Sequence, residues 1–188
     1  DWGKIRHSFL ENVYGVGDSL TNYTRPYSMD GTGVDIVIQD SGLQVDHPEF
    51  NDANGVSRVQ QIDWFSASGV TGSQSASHYG DTDGHGTHCG GTATGLHFGW
   101  ASNARVYSVK VGGLEGSGDT GGISINSCFD VIKGWHENKP VDPNTGYKRP
   151  TIVNASWGYS ASISSGITSI NYRGTTYNSG NDSSFSST

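Results

Sequence analysis

Three short apolar segments, separated by long polar stretches, constrain the fold of this chain most strongly. Residues 34–38, VDIVI, are rich in β-branched side chains and are soon followed by a turn-forming sequence, DSG. Residues 104–111, ARVYSVKV, alternate between apolar and polar side chains, and residues 151–155, TIVNA, form another short apolar run. These three patterns predict strands, and residues 58–65 are a further strand candidate.

A longer segment between the second and third predicted strands has the spacing of an amphipathic helix. Its apolar side chains fall on one helical face: Ile125, Cys128, Phe129, Ile132 and Trp135. Pro140 and Pro143 follow and end this predicted helix. Residues 85–95 consist of small side chains, and propensity alone would not predict a helix there, because glycine is costly inside one. If these residues were helical, their small side chains would let the helix lie very close to a sheet.

The alternation of strands and helices predicts an α/β fold with three layers. We expect a mainly parallel sheet with helices on both faces, in a single domain, because 188 residues suit one domain with a sizeable core. Sites in such sheets lie beyond the carboxyl ends of the strands. Asp40, the loop after Val111 and residues 156–158 all leave predicted strands at that edge.

Composition excludes several classes of function. The formal net charge is −7, and Lys and Arg do not cluster, which argues against nucleic acid or an anionic membrane surface as a partner. No apolar run approaches the length of a membrane span, which is about 20 residues. Cys89 and Cys128 are too few for a disulfide framework. We predict buried free thiols, with a bridge between them left open.

Two side chains stand out as chemical candidates, although each has an ordinary explanation when taken alone. Asp40 follows a predicted buried strand, where an aspartate commonly caps a turn. His85 lies in residues 83–88, DGHGTH, at a predicted junction of loop and helix. Zinc binding by His85, His88 and Cys89 is disfavoured, because the spacing does not match a zinc-binding helix and no further ligand cluster is evident.

A nucleotide-binding function is also disfavoured. The glycine-containing segment GTG at residues 31–33 precedes its strand instead of following it, so it could not cradle a pyrophosphate.

Taken together and in order, the motifs resemble the subtilisin family of serine peptidases, the subtilases. The matching segments include DSG at residues 40–42, HPE at residues 47–49, HGTH at residues 85–88 and SWG at residues 156–158. The resemblance covers roughly residues 30–158. In this family the catalytic residues occur in the order Asp, His, Ser along the chain.

The resemblance implies a catalytic role for two residues. Asp40 would orient His85, which would act as general base toward a serine and need no cofactor. Other residues would serve binding: Gly116, Ser117, Gly118, Ser156, Trp157 and Gly158 would flank a polypeptide substrate paired as an extended strand. Glu49 aligns with a calcium ligand of the family, which allows a structural calcium.

Two catalytic components of the family are absent from these 188 residues. The motif that carries the nucleophile, Gly-Thr-Ser-x-Ala, does not occur, and residues 174–176, GTT, lack the serine. Asn181 does not follow a buried strand, so we reject it as the oxyanion donor. We therefore expect residues 1–188 to be the N-terminal part of one catalytic domain. The serine and the oxyanion asparagine would lie on a separate companion chain, produced by cleavage near Thr188, or on a further C-terminal segment of the same chain.

These expectations define two hypotheses of different classes. The first is a secreted serine endopeptidase, and the start at Asp1 without a methionine agrees with removal of an upstream segment. The second is a non-catalytic, subtilase-like structural module of a larger assembly, such as a virus particle. The presence of both Asp40 and His85 favours the first hypothesis.

Overall fold

A computed structural model describes residues 29–76, 79–112, 121–158 and 168–178. The chain divides into two compact units, Asp1–Ser156 and Trp157–Thr188, and each is described separately.

A three-stranded parallel sheet forms the centre of the first unit. Its strands are β1 (Asp35–Asp40), β2 (Arg105–Lys110) and β3 (Thr151–Asn154), in the spatial order β2-β1-β3. Asp40 lies opposite Lys110 and Ile38 lies opposite Asn154. The carboxyl ends of all three strands therefore meet at one edge, as the sequence predicts.

Three helices and one short turn complete the described part of this unit. They are a 3-10 turn (Pro48–Phe50), α1 (Trp64–Ser68), α2 (His85–Thr94) and α3 (Ile125–Asn138). Two of the helices begin at side-chain caps. Asp63 accepts a hydrogen bond from the amide of Ser66, and Ser124 accepts one from the amide of Ser127, each satisfying an amide that helix geometry leaves without a partner.

One face of the sheet packs against α2. Ile36 and Ile38 of β1 belong to a buried cluster with Leu43, Phe50 and Val106. Helix α2 contacts this cluster through a glycine, since a Cβ built on Gly90 would lie 2.7 Å from Leu43 Cδ1. The small residues of α2 thus permit the close packing expected from the sequence.

The opposite face packs against α1 and α3. Trp64 of α1, Tyr107 of β2 and Trp135 of α3 form an aromatic cluster with ring centroids 4.5–6.2 Å apart. Buried Lys139, which follows α3, binds Asp35 at the start of β1. Helices therefore cover both faces of a parallel sheet, and the predicted fold class is confirmed.

One prediction about secondary structure and one about burial are wrong. Residues 58–65 do not form a strand: Val59 makes only an isolated bridge to Val106, and Asp63 begins α1 instead. Phe129 lies off the buried face of α3 and is 55% exposed, whereas Val131 is fully buried. The buried positions of α3 are Cys128, Val131, Ile132 and Trp135.

Both cysteines are free thiols, as predicted. Cys128 is fully buried, and its burial raises the pKa of the thiol to about 12. Cys89 is only partly buried, so the prediction that both thiols are buried is wrong for this residue.

The second unit contains an antiparallel hairpin. Its strands are β4 (Ser169–Tyr172) and β5 (Thr175–Asn178), joined at Arg173 and Gly174, whose φ angles are 51° and 83°. Two positive φ values match the tight hairpin turns that suit the twist of paired strands. Among the described segments, every helix is too short or too polar to cross a bilayer.

Candidate active site

Asp40 and His85 meet at the carboxyl edge of the sheet. Asp40 is the last residue of β1 and His85 is the first residue of α2. Oδ1 of Asp40 lies 2.7 Å from Nδ1 of His85, and it also accepts a hydrogen bond from the amide of Ser41 at 2.8 Å. The side chain of Asp40 is 1% exposed and that of His85 is 49% exposed, so a buried carboxylate holds a ring that reaches solvent.

This contact determines the chemical state of the imidazole. A carboxylate oxygen only accepts hydrogen bonds, so Nδ1 carries the proton and Nε2 of neutral His85 is left as an acceptor. The hydrogen bond that His85 donates to Asp40 raises the pKa of His85, and the charge of Asp40 adds to this effect. The pair can therefore take a proton at Nε2 and stabilise the imidazolium that results.

The start of α2 is held against β1 by a very close backbone approach. A Cβ built on Gly86 would lie 2.1 Å from the carbonyl oxygen of Gly42 and 3.2 Å from Cβ of Asp40. The amide of Gly86 also donates to the hydroxyl of Ser41 at 2.9 Å. Only glycine fits here, and its absence of a side chain brings His85 within reach of Asp40.

Asp81 orders the turn before α2, a role that the sequence analysis missed. Its Oδ1 accepts from the hydroxyl of Ser41 at 3.0 Å and from the amide of Gly84 at 2.8 Å. Its Oδ2 accepts from the amide and the hydroxyl of Thr87. Burial acts to raise the pKa of Asp81, but the hydrogen bonds from Thr87, Gly84 and Ser41 outweigh it and lower the pKa. An aspartate three residues before a glycine in a turn is the signal that could have found it.

Cys89 lies one helical turn after His85 and was also missed as a site residue. Its Sγ is 3.8 Å from Nδ1 and 3.9 Å from Nε2 of His85. Burial raises the pKa of this thiol, whereas a hydrogen bond with Ser156 lowers it and nearby Asp40 raises it further. Spacing of i and i+4 on a helix was the available signal. The contact with Cys89 brings Ser156, which follows β3, to the same region of the sheet edge.

Glu49 lies apart from this pair and is bound by donor groups. Its carboxylate accepts from the ring Nδ1 of His97 at 2.7 Å, from the amide of His97 at 3.0 Å and from the amide of Phe98 at 3.2 Å. Burial raises the pKa of Glu49, but these donors have the larger combined effect and lower it. The carboxylate thus joins the 3-10 turn to the segment after α2, and its binding of calcium stays a prediction.

The position of the remaining predicted site residues relative to the pair is not described. Gly116, Ser117 and Gly118 lie outside the described residues. Trp157 and Gly158 belong to the second unit. Their part in substrate binding stays a prediction.

An aspartate–histidine pair at the carboxyl edge of a parallel α/β sheet is the arrangement found in serine hydrolases that use an activated hydroxyl. The sequence profile of the family described as the Subtilase family matches residues 31–187. The chain therefore belongs to the subtilase family of subtilisin-like serine proteases.

Individual relatives agree with this assignment. The chain is 36% identical over 144 residues to a cuticle-degrading serine protease of Orbilia oligospora, covering 73% of this chain and 32% of the relative. It is 30% identical over 175 residues to subtilisin-like protease 2 of Pseudogymnoascus destructans, covering 88% and 40%. It is 34% identical over 136 residues to the subtilisin-like serine protease Pen ch 18 of Penicillium rubens, covering 71% and 22%. The chain thus spans between about a fifth and two fifths of the length of these relatives.

Proposed function

We propose that this protein is a serine endopeptidase in which Asp40 and His85 serve a serine lying outside the 188 residues. The observation that carries the proposal is the 2.7 Å contact between the buried carboxylate of Asp40 and Nδ1 of a half-exposed His85. This contact leaves Nε2 available to a hydroxyl group brought to the exposed side of the ring.

The proposed reaction follows from these proton positions. Nε2 of His85 removes the proton from the serine hydroxyl while the oxygen attacks the carbonyl carbon of the substrate peptide. The imidazolium, stabilised by Asp40, then gives that proton to the leaving amine as the carbon–nitrogen bond breaks. Water releases the acyl group by the same sequence and regenerates the serine. No metal or organic cofactor is needed for any of these steps.

The companion segment proposed here would supply the serine and an asparagine as oxyanion donor. Two observations support it. The relatives are longer than the part that this chain matches. In addition, Ile152 and Val153 of β3 are 55% and 41% exposed, and exposed apolar side chains on an edge strand are usually covered by another element.

The proposed substrate is a polypeptide bound in extended form. Main-chain groups of residues 116–118 and 156–158 would pair with it as an added strand. Ser156 is hydrogen-bonded to Cys89, which lies one helical turn after His85. This position supports the pairing proposed for residues 156–158. A structural calcium near Glu49 and secretion of the protein are parts of the same proposal.

The test uses the native protein that carries this chain and a fluorophosphonate that labels activated serines. Denaturing intact-mass analysis should show one adduct, on a serine outside residues 1–188. The variants Asp40→Asn and His85→Ala should lose most of the labelling. His88→Ala is the matched control, because His88 lies on the same helix as His85 but is not part of the Asp40–His85 pair.

Two results would contradict the proposal. One is a folded native protein without any adduct, which would favour the non-catalytic structural module, as part of a virus particle or another assembly. The other is equal labelling of the native protein and His85→Ala, which would show that His85 does not activate the serine.

A further inference from the structure

A buried lysine lies at the carboxyl edge of the sheet. Lys110 is the last residue of β2 and is 4% exposed, although its neighbours Val109 and Val111 are fully buried apolar residues. Burial removes the hydration of an ammonium group, which is unfavourable unless protein groups replace the water. An apolar side chain would fill this position at lower cost, so the contacts of the lysine must explain its presence.

The side chain of Lys110 leaves the sheet on the same face as that of Asp40. The two residues are register partners on adjacent parallel strands, which lie about 4.8 Å apart. The carboxylate of Asp40 therefore provides an opposite charge on the same face. Nζ of Lys110 donates to the carbonyl oxygen of Gly80 at 2.6 Å. A side chain of β2 thus holds the backbone of the segment that precedes α2.

The segment held by Lys110, residues 79–81, lies along the first residues after β1. The carbonyl of Tyr79 accepts a hydrogen bond from the amide of Leu43 at 2.8 Å. The carbonyl oxygen of the next residue approaches Gly42 so closely that a Cβ built on Gly42 would lie 2.5 Å from it. Two consecutive carbonyl groups therefore tie this segment to the ends of both β1 and β2.

Asp81 transmits the position of this segment to the proposed general base. It follows Gly80 directly, and its carboxylate accepts hydrogen bonds from the amides of Gly84 and Thr87, each at 2.8 Å. These two residues lie on either side of His85, the first residue of α2. A shift of the carbonyl held by the lysine would therefore move the turn and the imidazole that follows it.

The backbone of Lys110 belongs to a different part of the site. Its carbonyl accepts from the amide of Ile123 at 2.8 Å, and the amide of Gly112 donates to the carbonyl of Ile123 at 2.8 Å. These bonds fix the start of the chain that leads to residues 116–118, which are proposed to pair with the substrate. Because backbone atoms make them, they remain when the side chain of Lys110 is replaced.

We propose that Lys110 is a positioning residue for His85. Its buried side chain fixes the turn before α2 to the end of the strand that leads to the proposed substrate-binding segment. Loss of the side-chain donor should displace His85 and leave substrate pairing in place. This role rests on the proposed peptidase function, whereas the anchoring of residues 79–81 rests on the geometry alone.

The anchoring is tested without any catalytic activity. Amide hydrogen exchange is followed by NMR in the native protein that carries this chain and in Lys110→Met. The amides of Leu43, Gly84 and Thr87 are the reporters, because each donates to the anchored segment, residues 79–81. Their exchange should be at least about tenfold faster in the variant, because local opening becomes easier.

Lys139→Met is the matched control, because Lys139 is also a buried lysine but binds Asp35 at the opposite end of the sheet. Exchange of the three reporter amides in this control, corrected for the change in global stability, should equal that of the native protein. Lys110→Gln is the second variant if Lys110→Met does not fold. Glutamine keeps a polar group at this position but is one atom shorter than lysine, so its donor is withdrawn from Gly80.

Steady-state kinetics on a peptide substrate test the positioning role. Per folded molecule, kcat of Lys110→Met should fall about tenfold while KM stays within about twofold of the native value, because only the general base is displaced. Lys139→Met should keep the native kcat and KM per folded molecule, since its contacts lie away from the site.

The outcomes separate the anchoring from the function. Native exchange rates of the reporter amides in the folded Lys110 variants overturn the anchoring. Faster exchange with a native kcat, or an equal loss of kcat in Lys139→Met, overturns the positioning role. Faster exchange in a protein without peptidase activity confirms the anchoring and contradicts the proposed function.

Discussion

The hydroxyl of Ser41 joins the pair to Asp81: it donates to Oδ1 of Asp81 at 3.0 Å and accepts from the amide of Gly86 at 2.9 Å. Ser41 also donates its own amide proton to Oδ1 of Asp40. The turn before α2 and the end of β1 are thus parts of one hydrogen-bonded network. Asp81 is a positioning residue, since it orders this network, and its charge also contributes to the raised pKa of His85.

Replacing Asp81 with Asn should therefore lower the turnover number more than it weakens substrate binding. The amide nitrogen of Asn cannot accept from the hydroxyl and amide of Thr87, so the turn loosens and His85 loses its fixed position. We expect kcat to fall on the order of tenfold with KM nearly unchanged. Steady-state kinetics on a peptide substrate measure this difference.

Asp46→Asn is the matched control for Asp81→Asn, because Asp46 is an exposed aspartate and its replacement changes the net charge equally. Its kinetics should equal those of the native protein. A rise in KM alone for Asp81→Asn would show that Asp81 shapes substrate binding instead of positioning His85.

The raised pKa of His85 predicts how activity depends on pH. Only neutral His85 can accept the serine proton, and the hydrogen bond that His85 donates to Asp40 raises its pKa above the ordinary value of 6.5. The acidic limb of the kcat/KM profile should therefore have its midpoint above pH 6.5. In Asp40→Asn the pKa of His85 should fall, and kcat should drop by about 10⁴-fold, because the tautomer and the imidazolium lose their support.

The raised pKa of His85 also determines how its contribution to protein stability depends on pH. Because the pKa is higher in the folded than in the unfolded state, the contribution is fully present at pH values below the pKa of the unfolded state. It is lost as the pH rises through the pKa of the folded state. An NMR titration of the His85 ring measures the pKa directly, and a midpoint at or below 6.5 in the native protein contradicts the assignment of the Asp40 contact.

The sequence analysis predicted the sheet because its signals are local. Runs such as residues 34–38 are short, β-branched and bounded by turns, and such runs form strands that parallel neighbours bury. The edge where Asp40 emerges follows from the parallel direction of β1, β2 and β3. The meeting of Asp40 with His85 was expected only through resemblance to a family, since no local pattern joins residues 45 apart.

The errors have tertiary causes. Residues 58–65 contain enough apolar side chains for a strand, but Asp63 caps a helix whose Trp64 is needed in the aromatic cluster with Trp135. The glycines of α2 oppose a helix by propensity, yet Gly86 must lie against the end of β1, and Gly90 must lie against Leu43 and Phe50. Asp81 and Cys89 were missed because their importance depends on atoms brought near them by folding.

Gly86→Ala should remove most activity by moving α2. The new Cβ would lie 2.1 Å from the carbonyl oxygen of Gly42, so backbone must shift and His85 must move relative to Asp40. A displacement of about 1 Å costs on the order of 100-fold in rate. The peptidase assay should show a loss of at least this size.

Gly91→Ala is the control for Gly86→Ala, because a Cβ at Gly91 of the same helix meets no atom within 4 Å. It should keep full activity, and it should stabilise the protein by up to about 1 kcal/mol through helix propensity. Equal effects of the two substitutions would show that the contact at Gly86 has no special role.

Asp35→Asn should destabilise the end of the sheet away from the site. Asp35 is 2% exposed and binds Lys139 and Arg149, each at 2.9 Å, and Lys139 is itself 6% exposed. Removing the carboxylate charge leaves a buried ammonium without its counterion, which costs about 3–5 kcal/mol.

Glu137→Gln is the control, because its pair with exposed Lys133 spans 3.9 Å and contributes at most about 1 kcal/mol. Urea unfolding followed by fluorescence compares them, and equal losses would contradict the buried ion pair.

Arg58→Met should destabilise the protein strongly, although Met has similar length. The buried guanidinium donates to four backbone carbonyl groups, those of Glu49, Asn51, Thr94 and Ala104, at 2.5–3.1 Å. These carbonyls belong to the 3-10 turn and the residue that follows it, the end of α2 and the residue before β2, so one side chain holds three elements together. Leaving buried carbonyls without donors should cost at least about 3 kcal/mol.

Arg105→Met provides the comparison for Arg58→Met, because Arg105 is exposed at the start of β2. Its replacement should change the free energy of unfolding by no more than about 0.5 kcal/mol. Urea unfolding of the native protein and both variants measures the difference. Arg58 binds the carbonyl of Thr94 at the C-terminal end of α2, and His85 is the first residue of the same helix. The folded fraction of Arg58→Met should therefore also show reduced peptidase activity. A variant as stable as Arg105→Met would show that water replaces the guanidinium at these carbonyls without loss.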